Sequence, residues 1–185
     1  HATQTDPTKQ PDIVVNGSLL EDNGIAGVDF DQSNLATLVA TGVSGLVGSL
    51  SLFSQSIRDA SGYTVSLSNS TTGGRFFALQ EGNSITVANP RNPTNTTVSA
   101  SVTGSTRLSF AVTTGDTYTD VGALGGALVN STTDYGDTFG SGDIDQVVIG
   151  ALRTVSETGH FDGRIREIII YISDQSDNRT AIEAN

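Results

Sequence analysis

The chain has 185 residues, and 20 acidic side chains outnumber 9 lysines and arginines for a formal net charge of -11. Such a surface disfavours nucleic acid and anionic membranes, because phosphate recognition needs clustered cations and none are clustered here. With no cysteine in the chain, disulfides, zinc-thiolate centres and thiol catalysis are excluded together.

No apolar run approaches the roughly 18 residues that span a bilayer. The first ten residues, HATQTDPTKQ, are polar and punctuated by proline, and they predict an extended arm. AGVDFD and LATLVATGV are short β-prone runs between polar residues. In SLSLFSQSI a period of two puts Leu50 and Leu52 on one face and Ser49 and Ser51 on the other, the pattern of a half-buried strand. YTVSLSNSTTGGRFFAL reads as two strands around a Ser-Thr-Gly turn. NSITVA, TTVSASVT and TRLSFAVTT follow at short spacing, with the prolines of NPRNP expected to break the sheet. TYTDV and ALVNSTT are two further strands around GALGG. DIDQVVIGAL precedes a loop and then RIREIIIYIS, in which residues 168–172 are apolar on both faces. One face is expected to meet an opposing sheet. A helix after the strand is expected to cover the other, capped by Ser173 or Asp174, with Asp177 at its N-terminal dipole and Ala181, Ile182 and Ala184 as its apolar stripe.

Roughly a dozen short strands with one helix indicate a sandwich or barrel. No linker divides the chain, so residues 1–185 are read as one domain. The start at His1 rather than Met leads to the expectation that it is a piece of a longer protein. Interior positions are expected at Val28, Phe30, Leu50, Leu52, Phe53, Val65, Leu67, Phe77, Leu79, Ile85, Val87, Phe110, Val148 and Ile165, among others.

Chemistry-bearing groups are sparse. A Ser-His-Asp triad would rest on His160, in the loop ETGHFDG, and no G-x-S-x-G elbow accompanies it. A loop histidine of this kind is more commonly solvated or turn-stabilising. Two carboxylate pairs stand at i, i+2 spacing: Asp29 with Asp31 in VDFD, and Asp143 with Asp145 in DIDQ. On a strand each pair would share a face and could contribute to a Ca2+ site, or serve as acid and base in glycoside cleavage. Alternatively they are turn and strand-end residues, which suits aspartate. DYGDTFGSGDID gathers Asp134, Asp137, Asp143 and Asp145 among glycines but lacks EF-hand spacing. Sugar sites pair an aromatic platform with polar groups, and the candidates here are Tyr118, Tyr135, Phe139 and His160. Tyr135 and Phe139 are expected to be exposed in a glycine-rich loop, and Phe161 to be core. Sequons occur at Asn16, Asn69, Asn95, Asn130 and Asn178 and would matter only in a glycosylating pathway.

The C-terminal segment FDGRIREIIIYISDQSDNRTAIEAN resembles the closing signature of concanavalin A-like, laminin-G-like jelly-roll domains. The pattern F-x-G-x-I-x-E-x-I-I-Y is met by Phe161, Gly163, Ile165, Glu167, Ile169, Ile170 and Tyr171, and a helix of type R-x-x-I-E-x-N by Arg179, Ile182, Glu183 and Asn185. The lead-in HATQTDPTKQPDIVVNGSLLEDNGIAGVDFD is similar to the segment that follows a YDQSGNGN motif in such domains, and to part of the arabinofuranosidase B sandwich. Two departures stand out: the YDQSGNGN stretch is absent, and so is the E-x-D-x-E motif of jelly-roll glucanases. The resemblance implies an all-β, two-sheet antiparallel jelly roll with one short C-terminal helix. It also implies a non-catalytic virion or extracellular surface module that contacts glycans or neighbouring subunits, with a homo-oligomer left open. A purely structural decoration domain without a sugar site is the alternative, and a glycoside hydrolase a third.

Overall fold

The computed structural model describes residues 1–22, 24–71, 76–82, 84–90, 95–101, 106–114, 118–123, 129–131, 139–153 and 157–184. In chain order the strands are β1 (Val14–Val15), β2 (Ser18–Leu19), β3 (Glu21–Asp22), β4 (Ile25–Ala26), β5 (Val28–Phe30), β6 (Leu38–Thr41), β7 (Leu50–Ala60), β8 (Gly62–Ser68) and β9 (Phe76–Glu81). They continue with β10 (Ser84–Pro90), β11 (Asn95–Ser101), β12 (Thr106–Thr114), β13 (Tyr118–Ala123), β14 (Val129–Ser131), β15 (Gln146–Ile149), β16 (Leu152–Arg153), β17 (Glu157–Thr158) and β18 (Asp162–Tyr171). A 3-10 turn at Ser176–Asn178 leads into the five-residue helix α1, Arg179–Glu183.

Two six-stranded antiparallel sheets carry the fold, one in the order β11-β10-β9-β8-β15-β6 and the other β14-β13-β12-β7-β18-β5. Leu50 and Leu52 of β7 point between them and pack with Val65, Leu67, Phe77 and Leu79 from the facing sheet. A second cluster of Phe30, Ala36, Phe161 and Ile165 extends the interior. Phe161 is core, as the sequence predicts. The side chains of Ile85 and Val87 lie outside the described set. NPRNP does not break the sheet: β10 runs through Asn89 to Pro90, which stands opposite Asn95 of β11, and Pro93 lies outside the described residues.

The interior is not wholly apolar. Glu81 of β9 is fully buried between the sheets, where its carboxylate accepts a 2.5 Å hydrogen bond from Ser56 Oγ of β7. A buried carboxylate is tolerated only when hydrogen-bonded, so this contact ties the two sheets together.

The outward face of β7, β12 and β18 is covered, as the doubly apolar last strand implies. Phe53 stacks on Phe110 at 5.9 Å and meets Tyr171 edge-on at 6.0 Å. Ile182 of α1 packs on this cluster, and Arg179 lies 4.1 Å over the Phe110 ring while bonding Glu183 at 2.6 Å. The expected stripe needs correction, since Ala181 and Ala184 are exposed and the seam is made by Ile182 and the stem of Arg179. Asp174 accepts from the Ser176 N–H before the 3-10 turn, and α1 itself has no side-chain cap.

The N-terminal arm is also more than an extension. Thr3 exchanges two backbone hydrogen bonds with Val39 on the edge of one sheet, Thr37 N–H donates to Lys9 C=O, and Asp12 pairs with Asp29 on the edge of the other. The arm thereby straps both open edges on one side, a protection against edge-to-edge pairing.

Candidate functional site

The sequence-predicted site residues have definite places except Asp134, Tyr135 and Asp137, which lie outside the described residues. Tyr118 is described only in its backbone, at the start of β13. Phe139 is not an exposed platform. It is buried in the core with its ring 6.4 Å from Phe77, and its C=O accepts from the Gly48 N–H, so that expectation is corrected. His160 is buried too, rather than solvated: burial pulls its pKa below the ordinary imidazole value, and nearby Glu157 partly opposes this.

The first carboxylate pair is divided between two tasks. Asp29 on β5 faces Arg164 at 4.0 Å. Burial raises its pKa, with Arg164 opposing and Asp59, Asp12 and Asp162 reinforcing the rise. Asp31 is exposed in the next turn, accepting from Ser33 N–H and Oγ at 2.7 and 2.6 Å and from Asn34 Nδ2 at 2.7 Å. These bonds hold its pKa below the usual carboxylate range. Among the described residues no three carboxylate or histidine groups converge to hold a metal ion.

The second pair builds a corner at one end of the sheet that contains β8 and β15. Asp145 N–H donates to Ser68 C=O at 3.1 Å, and Asp145 C=O accepts from Val43 N–H at 3.0 Å. Its carboxylate accepts from Ser70 N–H and Ser70 Oγ, one on each oxygen, both at 2.7 Å. Asn69 Nδ2 donates to Gly142 C=O at 2.7 Å, and Asn69 Oδ1 accepts from Thr71 N–H and Oγ1. Asp143 accepts from Gly140 N–H at 2.7 Å, closing the turn. Beneath the corner the buried Gln146 donates from Nε2 to Ser68 Oγ at 2.8 Å and braces the end of β8.

The arrangement presents an amide, two carboxylates, hydroxyls and glycine backbone in fixed orientation at an exposed edge. A carboxylate oxygen that accepts one hydrogen bond retains capacity for another. Sequence reasoning found Asp143 and Asp145 but missed Asn69 and Ser70. The signal was there: Asn-Ser-Thr after a strand is an Asx-turn sequence, and here it was weighed only as a sequon.

No family model and no curated protein matches the chain, whereas solved structures do. The carbohydrate-binding module CBM40 of the Ruminococcus gnavus IT-sialidase, solved with α2,3-sialyllactose, superposes with a TM-score of 0.61 at 15% identity. That match covers 85% of this chain and 95% of the module. The NanB sialidase of Streptococcus pneumoniae matches with a TM-score of 0.59 at 19% identity over 72% of this chain, which spans 23% of that enzyme. Domains LG4-5 of the mouse laminin α1 chain match with a TM-score of 0.55 at 13% identity, over 72% of this chain and 37% of theirs. The likeness is one of fold, and together with the sheet order it makes the chain a concanavalin A-like, laminin-G-like jelly-roll sandwich.

Proposed function

We propose that the chain is a non-catalytic glycan-binding module that takes a neutral oligosaccharide at the Asn69–Asp145 corner. The observation that carries this reading is the set of exposed polar groups there, already oriented by their own hydrogen bonds. Pre-oriented carboxylate and amide groups suit sugar hydroxyls, which both donate and accept. Superposition over nearly the full length of a sialidase carbohydrate-binding module supports the class. Charge argues for a different ligand from the sialylated one in that structure. Asp143 and Asp145 on a chain of net charge -11 would repel a sialic acid carboxylate.

The absence of catalysis is part of the same proposal. Glycoside cleavage needs two carboxyl groups flanking the bond, one kept protonated by an apolar setting. Among the described residues, Asp29 has its pKa raised by burial but faces Arg164, with Asp31 tied into the next turn, and the fully buried Glu81 is sealed between the sheets and bonded to Ser56, out of a substrate's reach. On this proposal the module works on a virion or an extracellular surface.

A glycan array carrying neutral and sialylated oligosaccharides tests it. Retention of neutral glycans is expected, weakened by about tenfold in Asp145→Asn, which keeps the turn but removes the charge-assisted acceptor. Failure to retain any glycan at millimolar sugar, or release of aryl aglycones from aryl glycosides, would sink the reading.

A further inference from the structure

We infer that the β1–β4 segment is a docking surface for a protein partner whose contact face is apolar at its centre and rimmed by lysine or arginine. Five of the eight exposed large hydrophobic side chains among the described residues fall within residues 13–25: Ile13, Val14, Val15, Leu19 and Ile25, each 40% to 53% exposed. Successive strand residues point to opposite faces, so exposure of both Val14 and Val15 leaves both faces of the β1–β2 hairpin uncovered. Val14 stands opposite Leu19 across the hairpin, and Leu20 N–H donating to Ile13 C=O extends the ladder by a residue. A two-stranded ribbon has little stability of its own in water, and a clustered apolar patch marks an interaction site where scattered apolar residues would not.

Charge identifies the partner. Between Lys9 and Arg58 the sequence has no lysine or arginine and carries Asp12, Glu21, Asp22, Asp29 and Asp31. At the foot of the ribbon Asp12 is bridged to Asp29, and Asp59 and Asp162 lie within electrostatic reach of the same group, with Arg164 as the cation beside it. An apolar ribbon rising from such a cluster suits a cationic rim. A second copy of this chain would bring a second acidic cluster and a second charge of -11 to the same contact. This surface is separate from the glycan corner and does not depend on it.

Two synthetic amphipathic peptides test the inference on the intact chain, one of leucine and lysine and one of leucine and glutamate, titrated while the side-chain methyls are followed by NMR. The leucine–lysine peptide is expected to shift the methyls of Ile13, Val14, Val15, Leu19 and Ile25, and its glutamate counterpart to leave them unmoved. Val14→Thr with Leu19→Thr places strand-compatible β-branched side chains at two exposed positions and leaves the net charge unchanged. It is expected to weaken the leucine–lysine peptide at least about tenfold. Equal affinity for that variant would reduce the binding to general attraction by an anionic protein and overturn the inference. So would ribbon methyls unmoved by either peptide, or a wild-type dimer in sedimentation that the same double variant converts to monomer.

Discussion

Gly163 links a sequence signature to a stability measurement. It occupies the glycine of the F-x-G pattern, at a register shift where β18 joins β7, and has φ +133. A Cβ there would overlap the Ile57 carbonyl oxygen and stand 3.0 Å from Asp59 N and 3.1 Å from Arg58 Cα, all backbone atoms of the central strand β7. Gly142, with φ +85, has open space around its missing Cβ and serves as the control. Backbone strain alone costs about 1–3 kcal/mol at such a φ. Gly142→Ala should lose about 1 kcal/mol. Gly163→Ala adds displacement of the β7–β18 pair and should lose about 3 kcal/mol or more. For a chain of this length that is a fall in Tm of about 6–12 °C for Gly163→Ala and about 2–4 °C for the control. Thermal melts by circular dichroism, supported by urea midpoints, read both. Equal losses in the two variants would refute the reasoning, since the backbone clash would then contribute nothing.

Ile182→Ala should cost about 2 kcal/mol, because its side chain closes the Phe53–Phe110 cluster, whereas Ala181→Ser on the exposed side should stay within about 0.5 kcal/mol in urea unfolding. Ser56→Ala removes a donor from the buried Glu81 carboxylate and should cost about 1–3 kcal/mol by the same measurement, with glycan affinity unchanged. His160 adds a pH dependence. Burial depresses its folded pKa, so the unfolded chain takes up the proton first as pH falls. The contribution of His160 is therefore complete above about pH 6.5 and is lost as pH falls from there through the folded pKa. Urea midpoints from about pH 7.5 to about pH 5 should fall less steeply in His160→Gln than in the wild type, and parallel slopes would count against the burial effect.

The sandwich was legible where one period ruled a segment. Leu50 and Leu52 alternate with serines because the strand has an interior face, and residues 168–171 of the apolar run are explained by a core on one side and the cluster closed by Ile182 on the other, whereas Ile172, also expected to be covered, is exposed. Phe139 was misplaced because a ring in a glycine-rich loop looks exposed until the fold brings Phe77 beside it, a contact between residues far apart in the chain. The small hairpins were missed for a local reason. Asn16-Gly17 and Asn23-Gly24 are strong two-residue hairpin signals, but apolar residues on both sides of the first blurred the alternation that identifies a strand. The alternative reading of Asp31, Asp143 and Asp145 as turn residues holds, but their partners were not legible, since hydrogen bonds from Ser33, Ser70 and Gly140 depend on backbone geometry that spacing does not encode.

Amide shift mapping during titration with the neutral glycan that an array ranks first tests the glycan-binding proposal most directly. Perturbation centred on Ser68–Thr71 and residues 140–146, with no tighter binding of its sialylated counterpart, is the expected result. Shifts confined to another face of the sandwich, or a marked preference for the sialylated glycan, would contradict it.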